Sequence, residues 1–329
     1  MKIGIIGAGA IGGFLGARLA RSGHRVSMLA RGDTLRALTT HGLRLDSAGE
    51  SHVVAVQASD KAEALGPQDL LLLAVKAPAL PQIATAAAAM CSPSTVVAPA
   101  VNGLPWWFFL AQQDGPLAGQ RLHAVDPQGW IESCIPTASL LGCVVFPSCS
   151  VVAPGHVSHA SGNRIVFGEP AGATSERAQD IAQVFALAGF DAEASTDVRR
   201  DVWLKLLGNA CFNPVSLITR SHTDELIDDP AVHALFVSMM TEVLALGRAI
   251  GIEVPVNPGD RLAMTRKLGH IRTSMLQDAM AGRPVELDAI LGVLAEVARA
   301  ADVETPLLNA VTALGRAHAR QHGLLPGGH

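Results

Sequence analysis

Short apolar runs alternate with helical patterns along the first hundred residues. Residues 2–6 form an apolar run, residues 12–22 place apolar side chains at helical spacing, and residues 25–30 form a second run. A β-α-β unit takes about 30 residues, which is the length of this segment. Further apolar runs at 69–75 and 95–101 repeat the pattern. Strands that alternate with helices predict a parallel sheet covered by helices on both faces.

The pattern changes after residue 140 and again near residue 195. Short apolar runs between Pro and Gly turns predict three strands, at 143–146, 155–158 and 164–168. We expect these strands to extend the sheet at one edge. Beyond residue 197, apolar residues recur at helical spacing, and prolines such as Pro214 separate the predicted helices, at 203–212, 232–250, 262–280 and 287–301. We therefore expect two domains, an α/β domain at 1–195 and an all-helical domain at 196–329.

A glycine motif lies where the first predicted strand meets the first predicted helix. Gly7, Gly9 and Gly12 fit the pattern G-x-G-x-x-G, and Ala10 and Ile11 are the intervening residues. Within a β-α-β unit this pattern is typical of a Rossmann-type dinucleotide-binding domain, and we expect all five residues to bind the cofactor. The helix N-terminus adds N–H groups and partial positive charge for the phosphates. The alternatives are a glycine-rich turn without a ligand and an N-terminal signal peptide, and the glycine spacing favours the dinucleotide site.

The residue after the second predicted strand distinguishes NAD from NADP. Domains that bind NAD usually carry Asp or Glu at this position to bind the ribose hydroxyls, whereas this chain has Arg31. The planar guanidinium group of an arginine suits the 2′-phosphate of NADP(H). The alternative is that Arg31 is an ordinary charged residue in a solvated loop. We expect NADP(H) as the cofactor.

Two further polar positions follow predicted strands at the same edge of the sheet. Lys76 follows the run at 69–75, and Asn102 with Gly103 follows the run at 95–101. Open α/β sheets bind ligands at the carboxyl ends of their strands. We expect Lys76 to bind the cofactor, and the alternative is an ordinary surface lysine. For Asn102, a ligand contact and a simple Asn-Gly turn both fit the pattern.

Three polar residues share one face of the first helix in the helical domain. Lys205, Asn209 and Asn213 are four residues apart, so they form a row that drifts by about 40° per step. Their neighbours are apolar, and burial of a lysine and two amides is costly unless a partner binds them. A polar ligand in a cleft is one such partner. The alternative is a solvent-facing stripe on an amphipathic helix.

Composition narrows the classes of function. The net charge is −4 and charged residues make up 16% of the chain, so we expect neither nucleic acid nor a membrane surface as a partner. The 12 histidines show no metal-ligand spacing with cysteines, and we expect no metal. The 5 cysteines include no C-x-x-C pair, which fits reduced thiols in a cytoplasmic protein.

Taken in order, these motifs resemble the ketopantoate reductase family. The matching elements span residues 1 to about 290 and comprise the glycine motif, Arg31, Lys76, Asn102-Gly103, the row Lys205–Asn209–Asn213 before Pro214, the segment 273–278, and Glu286-Leu287-Asp288. The resemblance implies a Rossmann-type domain, then a helical domain, and reduction of a 2-keto acid by NADPH. The first candidate substrate is 2-dehydropantoate, which belongs to pantothenate biosynthesis. The family and the apolar helical half also allow a homodimer.

The resemblance also implies roles for single residues. Lys205 matches the general acid, which protonates the carbonyl oxygen as hydride arrives. Glu286 matches a catalytic glutamate that contacts substrate or cofactor hydroxyls. Asn209, Asn213 and Ser274 match family residues that hold the substrate's carboxylate and hydroxyl groups. Asn102 matches a residue near the nicotinamide and ribose, and Arg31 and Lys76 match residues that bind the cofactor phosphates. From the residues alone, Ser274 also fits a small packing residue, and Glu286 also fits a charge that favours a helix N-terminus.

An aromatic run departs from the family pattern. Trp106, Trp107, Phe108 and Phe109 follow the Asn-Gly pair, and Val101 stands where glutamine is usual. If the tryptophans wall the pocket, we expect a paralogue that reduces another branched or aromatic 2-keto acid to a D-2-hydroxy acid. The alternative is that they pack in the core. A non-catalytic NADP(H)-binding sensor is a further alternative, but it predicts a degraded catalytic helix, and this helix is intact.

Overall fold

The computed structural model describes residues 1–325 and divides into two compact units. The sheet unit comprises Met1–Val101 and Gln128–Asp201, and the helical unit comprises Asn102–Pro127 together with the chain after Asp201. The segment Asn102–Pro127 thus belongs to the helical unit, although it directly follows a strand of the sheet unit. The single boundary near residue 195 stays a prediction. The last four residues of the predicted helical domain lie outside the described residues.

The sheet unit contains twelve strands and six α-helices among the described residues. Its strands are β1 (Lys2–Ile6), β2 (Arg25–Leu29), β3 (Leu43–Ser47), β4 (Glu50–Val54), β5 (Gln57–Ser59), β6 (Leu70–Leu73), β7 (Val96–Pro99), β8 (Gly142–Val145), β9 (Ser148–Ala153), β10 (His156–Ser161), β11 (Arg164–Gly168) and β12 (Asp191–Ser195). Its helices are α1 (Ala10–Arg21), α2 (Gly32–His41), α3 (Ala62–Leu65), α4 (Leu80–Ala89), α5 (Trp130–Cys134) and α6 (Glu176–Leu187).

The first sheet is parallel, with the strand order β5-β2-β1-β6-β7. The chain runs outward from β1 to β2 and then returns to place β6 on the other side of β1. This reversal creates the crevice at which open α/β sheets bind ligands. All four residues of β6 are fully buried leucines, as expected of a strand covered on both faces. The predicted Rossmann-type parallel sheet is confirmed.

The predicted extension at the sheet edge is right only in part. Strands β8 and β11 lie in a sheet of order β12-β11-β8, which meets the first sheet at a single bridge between Val97 and Leu140. Strand β10 instead pairs with β3 and β9, in a separate sheet of order β4-β3-β10-β9. The sequence pattern gives strand positions but not partners, because pairing depends on contacts between distant segments.

Close approach between α1 and the strands of the first sheet depends on glycine. Gly7 has φ +103°, a left-handed conformation that L side chains rarely adopt, and a Cβ there would lie 2.6 Å from the carbonyl oxygen of Ala74. A Cβ on Gly12 would overlap the carbonyl oxygen of Gly7. A Cβ on Gly9, by contrast, would meet nothing within 4 Å. Two of the motif glycines are therefore needed for packing, and the third opens a space.

The helical unit is built around α7 (Val198–Thr219), which begins in the sheet unit and continues beyond it. The other helices are α8 (Thr223–Asp228), α9 (Pro230–Ala249), α10 (Pro258–Arg266), α11 (Ser274–Met280), α12 (Val293–Ala300) and α13 (Pro306–Gln321). A π-helical turn, Asp288–Gly292, precedes α12. The predicted all-helical C-terminal region is confirmed. Helix α9 is long and apolar enough to span a membrane, but its buried residues recur at i, i+3, i+4 and i+7 from Phe236, as in a core helix.

Two predicted helix boundaries in this unit are wrong. Pro214 does not end the helix but lies inside α7, where Asn213 to Leu217 are buried on all sides. Tertiary packing supplies most of the stability of a helix, so it outweighs the backbone hydrogen bond that a proline removes. The predicted helix at 262–280 is divided into α10 and α11. Gly269 in the connection has φ +78°, which a continuous helix does not allow.

Substitution at Gly12 tests the close approach of α1. The change Gly12→Ala is expected to lower the free energy of unfolding by about 1–3 kcal/mol, because α1 must move away from Gly7 to admit the methyl group. Urea titration of the protein without cofactor measures this loss. The matched control is Gly9→Ala, because a methyl group there meets no atom within 4 Å. This change should lower the free energy of unfolding only slightly, since Gly is preferred over Ala at a helix N-cap. Equal losses in both variants would contradict the packing argument.

Candidate active site

The glycine motif forms a cradle at the carboxyl end of β1. Gly9 is the N-cap of α1 and contributes no side chain, so the first turn of the helix presents backbone N–H groups beside open space. Helix N-termini of this kind attract phosphate groups. Ala10 and Ile11 are half-buried within the first turn. The structure thus places the predicted phosphate-binding residues together, with room for a ligand at Gly9.

Two basic residues lie at the ends of the strands that flank β1. Arg31 follows β2 and is the exposed N-cap of α2, and Lys76 follows β6 and is also exposed. Because β2, β1 and β6 are neighbours in the sheet, their carboxyl ends share one edge. The nearest acidic residue after β2 is Asp33, and it pairs with Arg36 on the first turns of α2. The edge therefore offers positive charge for phosphate on both sides of the glycine motif.

The predicted polar row lies on α7, and its side chains become more deeply buried along the helix. Lys205 and Asn209 are half-buried, and Asn213 is 3% exposed. At 1.5 Å per residue the row covers about 12 Å of the helix axis. Cys211 lies between the two asparagines, and its complete burial raises the pKa of its thiol. The thiol is therefore protonated and is a poor nucleophile.

Lys205 is held by an amide from another part of the helical unit. Its Nζ donates a hydrogen bond of 2.9 Å to Oδ1 of Asn102. The loop that carries Asn102 is fixed one residue further on, since Leu104 N donates to the carbonyl oxygen of Ala289 at 2.9 Å. Gly103 has φ +85°, and a Cβ there would overlap that same carbonyl oxygen. The Asn-Gly pair thus forms the predicted turn and holds Lys205, and the predicted ligand contact of Asn102 stays a prediction.

The contact at Ala289 brings the region of Glu286 to the same place. Ala289 lies in the π-helical turn Asp288–Gly292, and Glu286 directly precedes the helical segment that begins at Leu287. Single π-helical turns are frequent at functional sites. Glu286 is 5% exposed, which is rare for a carboxylate on a structural helix end. Asp288, by contrast, forms an ion pair with Arg316 and is about half-exposed.

A second chain of hydrogen bonds joins α7 to the N-terminus of α11. The hydroxyl of Ser216 donates to the backbone carbonyl of Asn213 at 3.0 Å and lies 2.6 Å from the hydroxyl of Thr273. Thr273 is the N-cap of α11 and accepts from Leu276 N. Ser274 is the first residue of that helix and is exposed. Sequence reasoning missed Ser216, and it included Thr273 only within the matching segment 273–278, although a threonine three residues before Leu276 is a helix-start signal.

One buried donor in this network has no partner. Nδ2 of Asn213 is buried and makes no hydrogen bond within residues 1–325. An unsatisfied buried donor of this kind costs about 1–3 kcal/mol. Such a cost is repaid when a ligand accepts the hydrogen bond. The half-buried row on α7 therefore ends in a donor that suits a carboxylate or hydroxyl oxygen.

The aromatic run packs inside the helical unit. Trp106 and Trp107 are each 1% exposed, so neither indole reaches an open pocket. The ring of Phe108 lies 6.0 Å from that of Trp203, which is two residues before Lys205, and Trp203 Nε1 donates to the Val243 carbonyl at 3.2 Å. The four residues of the run lie in turns. Of the two predicted roles for the tryptophans, their burial favours core packing beside α7.

Comparisons with known proteins agree with this arrangement. The family model for ketopantoate reductase PanE/ApbA matches residues 3–172, and the model for its C-terminal domain matches residues 197–319. The chain is 42% identical to a 2-dehydropantoate 2-reductase of Mesorhizobium japonicum over 328 residues, which cover 98% of this chain and 99% of that protein.

Solved structures give the same result. A crystal structure from Ralstonia solanacearum, assigned to the ketopantoate reductases, is 47% identical with a TM-score of 0.94, over 98% of this chain and 99% of that one. A PanE/ApbA family ketopantoate reductase from Ralstonia eutropha is 26% identical with a TM-score of 0.83, over 98% and 100% of the two chains. With both family models matched and a relative above 40% identity along its whole length, this chain belongs to the ketopantoate reductase family of oxidoreductases.

Proposed function

We propose that this protein reduces a 2-keto acid with hydride from NADPH, and that 2-dehydropantoate is its first substrate. The relatives named 2-dehydropantoate 2-reductase support the reaction. The observation that carries the proposal is the hydrogen bond from Lys205 Nζ to Asn102 Oδ1, which holds an ammonium group at one end of the polar row on α7. A cytoplasmic location, a role in pantothenate biosynthesis and a homodimer accompany this proposal as predictions.

The sheet unit fits a dinucleotide. Gly9 has open space where a Cβ would point, and the turn at Gly7 and Gly12 admits no larger residue. Arg31 and Lys76, at the ends of β2 and β6, would hold the phosphates, with Arg31 on the 2′-phosphate of NADP. The bound nicotinamide supplies a hydride, which is a proton and two electrons, to the carbonyl carbon of the substrate.

Lys205 supplies the proton that balances the reaction. As the hydride adds to the carbonyl carbon, the C=O π bond breaks and its electron pair moves to oxygen. An ammonium group within hydrogen-bond distance stabilises the developing alkoxide and transfers a proton to it. Asn102 fixes the ammonium group without neutralising it, since its Oδ1 is an uncharged acceptor. Lys205 then recovers a proton from solvent.

The remaining residues bind the substrate's other groups. Asn213 Nδ2 is a buried donor without a partner in the described chain, and it suits a substrate oxygen. Asn209 lies one turn away on the same face, and Ser274 is at the exposed first position of α11. Glu286 is buried and acidic, so its carboxylate is suited to accept hydrogen bonds from substrate hydroxyls. An amide, a hydroxyl and a carboxylate together select a small, polar keto acid.

The change Lys205→Ala tests the general acid. We expect kcat for 2-dehydropantoate reduction to fall by about 10²–10⁴-fold, because the alkoxide loses both its proton source and its stabilising charge. The Kd for NADPH, measured by fluorescence, should stay the same. Lys267→Ala is the matched control, since it removes an exposed lysine of the same unit. Full turnover in the Lys205 variant would remove this residue from the mechanism, and NADPH binding without turnover in the wild type would favour the sensor.

The change Arg31→Ala tests the choice of cofactor. A charge-assisted hydrogen bond contributes about 1.5–3 kcal/mol, so the KM for NADPH should rise about 10–100-fold. The KM for NADH should change little, because NADH has no 2′-phosphate. Steady-state kinetics with both cofactors measure the ratio. Arg36→Ala is the control, since Arg36 pairs with Asp33 on the same helix. Parallel loss with NADH and NADPH would contradict recognition of the 2′-phosphate.

The change Trp107→Phe separates packing from substrate recognition. We expect a lower Tm, because a smaller ring leaves a cavity in the helical unit, but an unchanged KM for 2-dehydropantoate. The indole N–H of Trp107 has no hydrogen-bond partner in residues 1–325, so its removal offsets part of the stability lost to the cavity. Assays with 2-dehydropantoate and benzoylformate, each with wild type and variant, complete the test. A change of preference between these acids would instead identify a substrate-binding tryptophan and a paralogue.

A further inference from the structure

Two histidines and a glutamate meet at the N-terminus of α8. The ligand atoms of His222, Glu225 and His270 all lie within 4.8 Å of one another. His222 Nδ1 is 3.4 Å from a carboxylate oxygen of Glu225, and the two imidazole rings stack with centroids 3.6 Å apart. Ligand atoms around a tetrahedral zinc ion lie roughly 3.3 Å apart, given bonds of about 2.0–2.1 Å. The pair His222–Glu225 already has this spacing, and the exposed side chain of His270 has the freedom to complete it.

The two segments that carry these residues are tied together by backbone contacts. Thr223 N donates to the carbonyl oxygen of Ile271 at 3.0 Å. The His222 amide donates to a Glu225 carboxylate oxygen at 2.9 Å. These two bonds hold the Glu225 carboxylate beside the imidazole of His222 and hold the start of α8 beside the segment of His270.

A further carboxylate orients His270. Both carboxylate oxygens of Asp224 lie 3.1 Å from Nδ1 of His270. If Nδ1 carries the proton and donates it to Asp224, then Nε2 keeps its lone pair for a ligand. A carboxylate that accepts from the distal nitrogen is the usual outer partner of a metal-bound histidine, and it raises the basicity of the ligand. The cluster therefore has both a set of ligands and an outer partner.

Arg272 competes with a metal for His222. Its Nε lies 3.2 Å from Nε2 of His222, and an arginine can only donate. This contact places the lone pair of His222 on Nε2 and its proton on Nδ1, toward Glu225. Coordination through Nδ1 moves the proton to Nε2, where it would face the Arg272 N–H. Arg272 is exposed, so it is able to turn away.

We propose that His222, Glu225 and His270 form a binding site for a divalent transition metal of the zinc class. Two imidazoles and one carboxylate suit zinc better than magnesium or calcium, which prefer oxygen ligands. The bound ion would join the start of α8 to the segment 269–272, which leads directly into Thr273 and Ser274. The sequence gives no signal of this cluster, because Glu225 and His270 are 45 residues apart and form no spacing motif.

Calorimetric titration of chelator-treated protein with zinc chloride tests the proposal. We expect one binding site, with affinity reduced at least tenfold by His270→Ala and about 10–100-fold by Asp224→Asn, the loss typical of an outer partner. The change Arg272→Ala should tighten zinc binding, because it removes the competing contact with His222. The control is Arg248→Ala, which removes an exposed arginine of α9 and should leave zinc affinity unchanged. Thermal unfolding without zinc should be the same for His270→Ala and wild type, which separates loss of a ligand from loss of the fold.

A second stacked pair provides the decisive comparison. His318 and His322 are four residues apart on and just after α13, with ring centroids 4.3 Å apart. Such a pair is itself able to chelate zinc, but it lacks a carboxylate contact among the described residues. The proposed site is supported if zinc affinity is unchanged in His322→Ala and reduced in His270→Ala. Affinity that is lost in His322→Ala and kept in His270→Ala, or no zinc binding by the wild type, overturns it.

Discussion

Burial of a helix that carries polar side chains is the constraint on which the helical unit depends. Helix α7 is buried along most of its 22 residues, yet one of its faces presents Lys205, Asn209 and Asn213. A lysine and two amides in such surroundings each need a partner, because an unpaired buried polar group costs free energy. The unit meets this need unequally. Asn102 satisfies Lys205, whereas Nδ2 of Asn213 has no partner within residues 1–325.

The neighbouring elements are arranged to supply these partners. The loop after β7 joins the helical unit and brings Asn102 to Lys205, and the left-handed turn at Gly103 lets it pass against Ala289. The pair Ser216 and Thr273 attaches the start of α11 to the far end of the row. Behind the row, Trp203 is anchored on the carbonyl of Val243 and contacts Phe108. The polar face of α7 is thus held in position by both polar and aromatic contacts.

The sheet unit obeys a different constraint, which is contact between backbones. Gly12 lets α1 approach the end of β1, because a methyl group there would clash with the carbonyl oxygen of Gly7. A methyl group at Gly7 would instead clash with the carbonyl oxygen of Ala74, after β6. Gly9 has space to spare, which a structural turn does not require. The room for a Cβ therefore distinguishes the two glycines needed for packing from the one that leaves space for a ligand, which the sequence motif alone does not do.

Trp106 and Trp107 illustrate the opposite relation between burial and function. Their indole nitrogens are also buried without partners among the described residues, but both rings are almost completely buried, and that of Trp107 lies 6.3 Å from that of Phe108. Indole burial contributes enough apolar contact to tolerate one lost hydrogen bond. Asn213 has no such compensation, because an amide has little apolar surface. The same geometric observation therefore has different meanings for these side chains.

The sequence by itself determined the parallel sheet, the glycine motif and the four-residue spacing of the row on α7. These features depend on local periodicity and on residues that are close in the chain, where backbone geometry leaves few choices. Tertiary structure alone decided the rest. The separate sheet that contains β10, the helix that continues through Pro214, the partnership of Asn102 with Lys205 and the meeting of His222 with His270 all join segments distant in sequence. Their physical reason is packing, which selects partners by burial and shape and leaves no periodic signal along the chain.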